Sequence, residues 1–203
     1  MNTPRITTTL SALALAACGT TTPTRELSQG YAVFDVKARP VIGPARISEA
    51  VKTALQKNMS SVQITNGIPP SPLPEKMPRF QLVSPFKPGT GLAAIVALQG
   101  QAMQVPVCEG ATMTANARDT SMRRYGEGSS FFACVMPYQG GYALNVYTTF
   151  SKASGAFSAD VLAASLMRPL VGDSSQFIPR TVASVVEALK QTGAEVRLAE
   201  AYP

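Results

Sequence analysis

The residues that could do chemistry are few, and the absences narrow the options first. The chain of 203 residues has no histidine, so the usual general base near neutral pH is missing and Ser-His-Asp or Cys-His sites are excluded. Metal sites built on imidazole go with them, and no metal ligand set is expected. Three cysteines, Cys18, Cys108 and Cys134, show no Cys-x-x-Cys spacing, which argues against a redox-active pair. The 12 acidic residues could in principle supply a two-carboxylate glycosidase. No acidic pair has a recognisable setting, however, and there is no tryptophan for a sugar platform. Lys152 and Lys190 lack the signature of a Ser-Lys dyad. Gly126 and Gly128 are not followed by the Lys-Ser or Lys-Thr of a phosphate loop. The expectation is a protein that is not an enzyme and holds no cofactor.

One stretch does gather binding residues. Between positions 118 and 130, Arg118, Arg123, Arg124 and Tyr125 lie among Asp119, Glu127 and small residues. Arginine and tyrosine are the types that most often anchor interfaces. The same stretch also reads as a solvated loop whose charges only keep it wet.

The amino terminus sets the compartment. Arg5 precedes a short apolar run at 10–17 that ends in Leu15-Ala16-Ala17-Cys18. A basic start, a brief apolar middle and small residues before the cut make a secretory signal peptide. The run is about half the 20 or so apolar residues that a membrane span needs. The tetrad resembles the lipobox of bacterial lipoproteins. That resemblance covers the first 18 residues and implies removal of 1–17, a diacylglycerol thioether on Cys18, and acylation of the new amino terminus by a chain such as palmitate. Several chains together anchor a protein stably, each buried methylene adding about 0.8 kcal/mol. In that family an aspartate after the cysteine often signals retention at the inner membrane. Here the position is Gly19, so the resemblance implies the outer membrane, facing the periplasm. With Cys18 taken by lipid, Cys108 and Cys134 remain as an even pair in an oxidising compartment, and a disulfide is expected. Closing a loop of this length contributes about 3 kcal/mol in the chain-entropy model.

Composition agrees with a packed, exported domain. Apolar residues make up 45% and charged residues 15%, enough for a core and too apolar for wholesale disorder. A net charge of +6 suits anionic envelope components as well as plain solubility. No basic run interleaved with aromatics points to nucleic acid.

The elements that must position these residues follow from pattern. Residues 18–29 are rich in threonine and read as a flexible tether, with the folded domain at 30–203. A strand is expected at 31–37, a helix at 45–58 with Ile47, Ala50, Val51, Ala54 and Leu55 on one stripe, and a strand at 61–65. Seven prolines between Pro69 and Pro88 exclude helix and central strand over most of that length. It reads as an extended surface connection with a short strand at 80–83, or as a polyproline-like docking segment. Strands are expected at 92–98, 103–107 and 112–116. A hairpin at 131–138 and 142–150 turns on Gln139-Gly140-Gly141. In its second arm Tyr142, Leu144, Val146 and Thr148 face one way and Ala143, Asn145 and Tyr147 the other, so one face should be buried and the other wetter. Helices at 159–168 and from Pro179 to Gly193, then a strand at 195–200, close the chain.

The closing part echoes an earlier one. Positions 50–57 align with 184–191 without a gap, and the same offset pairs Val62 with Val196 and Ile64 with Leu198. Two related strand–helix–strand units, or convergence of two amphipathic helices followed by strands, both account for this. The expected fold class is α+β, an antiparallel sheet with two to three packed helices.

The functional expectation is a non-catalytic, outer-membrane-anchored periplasmic lipoprotein that binds another cell-envelope protein as an assembly, stability or transport accessory. A carrier or sensor for a small ligand or a glycan is the alternative, and a peptidoglycan-active enzyme the third.

Overall fold

A computed structural model describes residues 24–86, 104–121, 127–154 and 177–202. In chain order its elements are β1 (Thr24–Lys37), α1 (Pro44–Asn58), β2 (Ser61–Asn66), β3 (Gln81–Val83), β4 (Val105–Val107), β5 (Met113–Asp119), β6 (Glu127–Tyr138), β7 (Gly141–Ser154), α2 (Phe177–Gln191) and β8 (Glu195–Tyr202). Six strands form one sheet in the order β2-β5-β6-β7-β1-β8, and β3 pairs with β4 in a separate ribbon. Every pairing is antiparallel. The fold is α+β, as the pattern predicts. The helix expected at 159–168 and the strand expected at 92–98 lie outside the described residues.

Each helix forms where its apolar stripe predicts. In α1 a proline opens the first turn, where its missing N–H costs nothing, and Ile47, Val51, Ala54 and Leu55 are buried. In α2 the buried positions are Thr181, Val185 and Leu189. The helix starts two residues before Pro179, which the first turn tolerates for the same reason. The two helices pack on one another, and their buried residues share a core with Phe34, Val36, Met113, Phe131, Val135, Leu144 and Val146. Ala115, Ala133 and Val146 stand side by side across β5, β6 and β7, so the middle of this face carries short side chains. Burying each large aliphatic here contributes about 1.5–3 kcal/mol.

The sheet's opposite face is also covered, which corrects the expectation that it is the wetter one. Ala143, Asn145 and Tyr147 are buried. The cover is the proline-rich segment, which is an extended surface connection with a short strand at 81–83, as expected, and lies against the sheet. Phe80 donates its backbone N–H to Asn145 Oδ1, and Asn145 Nδ2 donates to the Pro78 carbonyl, both at 3.3 Å. Gln139 N–H reaches the Pro74 carbonyl at 2.9 Å, and Met77 packs against Cys134, Met136 and Ala143. An extended segment that lies across a sheet without joining it must satisfy its own donors. Proline removes them.

Phe80 completes the cover. Register places Asn116, Phe132, Tyr147, Tyr31 and Tyr202 opposite one another across β5, β6, β7, β1 and β8. The Phe80 ring sits 5.5 Å from that of Tyr31 and 5.8 Å from that of Tyr147.

The cysteine pair holds this cover down. Cys108, just after β4, is bonded to Cys134 in the middle of β6, so the bridge ties the β3–β4 ribbon to the sheet. The expected tether gives way to strand earlier than Gln29. β1 begins at Thr24 because β7 runs on to Ser154, and each supplies the other's backbone partners from Thr24↔Ser154 inward. The hairpin turn needs its glycines. Gly141 has φ +140°, and a Cβ there would collide with the Val36 carbonyl.

The two strand–helix–strand segments do not occupy equivalent places. β2 lies at the far edge from β1, whereas β8 is separated from β7 by β1 alone. Replacing Cys108 and Cys134 together by serine is expected to lower the unfolding free energy by about 3 kcal/mol. Urea denaturation of the purified domain reads this.

Candidate functional site

Arg118 is the one member of the sequence-derived binding cluster inside the described residues; Arg123, Arg124 and Tyr125 lie outside them, as does Cys18. Strand alternation puts Arg118 on the same face as the proline-rich cover, opposite Ser130 of β6, which is opposite Thr149 of β7. The Ser130 and Thr149 hydroxyls bond each other. Arg118 is exposed and, among the described residues, has no hydrogen-bond or ion-pair partner.

Two cavities meet at this row. One of about 510 Å³ is lined by Leu27, Arg118, Asp119, Glu127 and Ser129 among others. The second, of about 300 Å³, runs under the ribbon between Val105, Pro106, Asn116, Phe132 and Tyr147, with Arg118, Ser130 and Thr149 common to both. A third, of about 580 Å³, lies between α1 and β2, where Glu49 and Lys52 pair with each other. Between sheet and helices the core is filled by side chains.

Asp119 braces the strand end beside Arg118. It accepts hydrogen bonds from the hydroxyls of Ser60 and Ser121, each at 2.7 Å, and from the Ser121 N–H. Burial pushes its carboxyl up, but those donors together outweigh burial and hold it below the usual carboxylate range. At the opposite end of the sheet, Arg79 and then the Tyr31 hydroxyl keep Glu200 acidic too.

A second polar cluster was not singled out from sequence. Buried Asp35 accepts from the Tyr138 hydroxyl at 2.6 Å, and Lys37 and Arg197 stand 3.5 and 3.4 Å from it. Lys37 also donates to the Tyr138 oxygen and to the Gly140 carbonyl. Burial, then Asp35, raises the Tyr138 phenol, which suits a structural donor rather than a base. The cluster pins the hairpin turn to β1.

Sequence reasoning also missed Tyr147. It is 5% exposed, and its hydroxyl has no hydrogen-bond partner among the described residues. Burial raises its phenol, so it stays a neutral donor at physiological pH. Its alternation with Asn145 was readable, but nothing local signalled that this face would be covered. Among the described residues no group of three or more His, Cys, Asp or Glu could hold a metal, and no helix is long and apolar enough to cross a membrane.

No family model and no curated protein matches the chain. Among solved structures, Ara h 8.0201 is similar over 83% of this chain and 97% of its own at 14% identity and a TM-score of 0.30. Truncated norcoclaurine synthase from Thalictrum flavum is similar over 84% and 94% at 8% identity, again with a TM-score of 0.30. Likenesses at that score carry no argument about function.

Asp119 and Glu200 give the acid response its sign. Both are more acidic folded than unfolded, so the unfolded chain takes up protons first as pH falls below about 4, and stability drops until the folded carboxyls protonate. Asp119→Asn is expected to flatten the decline of Tm below about pH 4 while leaving a residual slope from Glu200 and other carboxylates.

Proposed function

We propose that the chain is a non-catalytic lipoprotein, anchored to the outer membrane through Cys18 and facing the periplasm. There it binds another cell-envelope protein through the surface around Arg118. The observation that carries the binding part is an exposed guanidinium, without a partner among the described residues, at the meeting of two open cavities. The strand fixes the backbone that carries Arg118, and the planar guanidinium fork is pre-organised, so less entropy is lost per hydrogen bond it forms. The Cys108–Cys134 bridge supports export, because structural disulfides persist in oxidising compartments. Arg123, Arg124 and Tyr125, outside the described residues, belong to the same stretch of sequence and are part of this reading.

The two strand–helix–strand segments are part of it as related units. In support, each joins two strands that run the same way through one helix, and the Asn58 side chain of α1 donates to Ser184 of α2 at 2.9 Å. A second reading, a carrier for a small ligand, is favoured by the cavity of about 300 Å³ with Val105, Pro106 and Phe132 in its walls.

The anchor is tested by metabolic labelling with an alkyne-bearing palmitate analogue. Labelling in the wild type and none in Cys18→Ser is expected, and equal labelling of both would refute it. For the partner, a photoreactive residue at Thr120 is expected to crosslink a defined envelope protein in cells. Replacing Arg118, Arg123 and Arg124 by alanine should cut that yield by about tenfold or more while stability stays within about 0.5 kcal/mol. An unchanged adduct pattern would remove the arginines from the interface.

A further inference from the structure

We propose that the groove of about 580 Å³ between α1 and β2 docks an extended polypeptide segment. The segment adds to β2 as a further antiparallel strand, sends an apolar side chain into the groove and turns an acidic one toward Arg118. The proposal rests on the envelope-protein reading at Arg118 and states how that partner docks, but its test needs neither the lipid anchor nor the partner itself.

The backbone of β2 is set up for an added strand. Among the described residues β2 ends the sheet order. Gly67 donates its N–H to the Thr112 carbonyl at 3.0 Å, one step beyond the Asn66↔Met113 pair. Backbone groups alternate in direction along a strand, so Ser61, Gln63 and Thr65 point theirs at β5, and Val62, Ile64 and Asn66 point theirs outward. Ser61, Gln63, Thr65 and Asn66 are exposed and Val62 and Ile64 are half-buried, the pattern of an accessible edge. Outward N–H and C=O groups in a row are a template for one more strand.

The groove selects the side chain that enters it. Val62 and Ile64 pair with Ala117 and Ala115 of the core, so they lie on the helix side of the sheet. A residue paired with Ile64 on an added strand sends its side chain to the same side. There α1 lines the groove with Pro44, Ser48 and Lys52, spaced by four along one face about 12 Å long. Pro44, Ala45 and Ser48 are small, and Ile64 and Met113 add apolar lining, so a leucine-sized chain fits. Glu49 and Lys52 pair with each other and together add no net charge to the rim.

The acidic position follows from the register. Ser61 lies opposite Arg118 on the other face. An added residue paired with Ser61 is two strands from Arg118, about 10 Å between Cα atoms. The short serine between them leaves room for a carboxylate to meet the exposed guanidinium. In an antiparallel strand the apolar residue therefore comes three positions before the acidic one.

The probe is the peptide acetyl-Thr-Thr-Leu-Thr-Val-Glu-amide, whose leucine pairs with Ile64 and whose glutamate pairs with Ser61. It is titrated by NMR into the nitrogen-15-labelled chain 18–203 carrying Cys18→Ser, with the Cys108–Cys134 bridge intact. Saturable binding with Kd of about 0.1–1 mM is expected. The amides of Val62, Ile64 and Asn66 should gain protection from exchange on binding, while those of Gln63 and Thr65 are protected in the free chain. N-methylation of the leucine removes the donor aimed at Ile64 and should weaken binding about tenfold or more. N-methylation of the threonine after it, whose N–H points away, should change Kd by less than about threefold. Glutamine in place of the glutamate should cost about threefold, a difference that Arg118→Gln erases. Strand addition would be overturned by no saturable binding up to about 10 mM, by equal effects of the two methylations, or by protection centred away from β2. Protection of Val62, Ile64 and Asn66 that rises with protein concentration without peptide would overturn it in favour of a second copy of the chain. Equal affinity of the glutamate and glutamine peptides would overturn the acidic position. The Thr120 crosslink in cells reports the envelope partner separately. Adducts there with a peptide that ignores β2 overturn strand addition alone, and peptide binding at β2 without such adducts supports strand addition and removes the partner.

Discussion

The Asn145 side chain is the contact on which the arrangement of this domain turns. A six-stranded sheet with apolar residues on both faces needs two covers, and among the described residues helices supply one of them. The other is a stretch rich in proline, which cannot pair as a strand along its length. Asn145, 1% exposed on the central strand β7, offers one acceptor and one donor to the backbone of Phe80 and Pro78. The amide thus acts as a short stand-in for a strand neighbour. A buried amide satisfied in this way stabilises; the same amide left unpaired would cost more than an apolar residue in its place.

Fixing the cover there determines where the sheet stays open. Phe80 lies over Tyr31 and Tyr147, the ribbon follows it, and the bridge from Cys108 to Cys134 ties that ribbon to β6. Beyond the aromatic row the next residues on this face are Arg118, Ser130 and Thr149; they line both cavities, and the smaller one continues from them under the ribbon along Asn116, Phe132 and Tyr147. The candidate site is therefore set by where the cover ends. No local motif encodes it.

Much of the architecture was legible because periodicity is local. Ile47, Val51 and Leu55 announce α1, Val185 and Leu189 announce α2, and the glycine turn at 139–141 announces the longest hairpin. The even pair of cysteines led to their bridge. What could not be read depended on partners distant in sequence. Asn145 and Tyr147 look like residues of a wet face until a segment about 65 positions earlier is laid over them. Thr24 to Gln29, Leu27 apart, are residue types typical of a tether, yet their backbone is paired because β7 extends to meet them. Arg118 was found by residue type, whereas Tyr147 needed the register of three strands and the burial of its hydroxyl.

The claim that the proline-rich segment is a fixed cover clamped by Asn145 is tested most directly at the Phe80 backbone amide. Native-state hydrogen exchange followed by NMR reads the free energy of opening at that single N–H. The account predicts strong protection in the wild type and near-complete loss of it in Asn145→Ala, while amides in the middle of β6 remain protected. An exchange rate for Phe80 equal to that of an unstructured peptide in the wild type would contradict it.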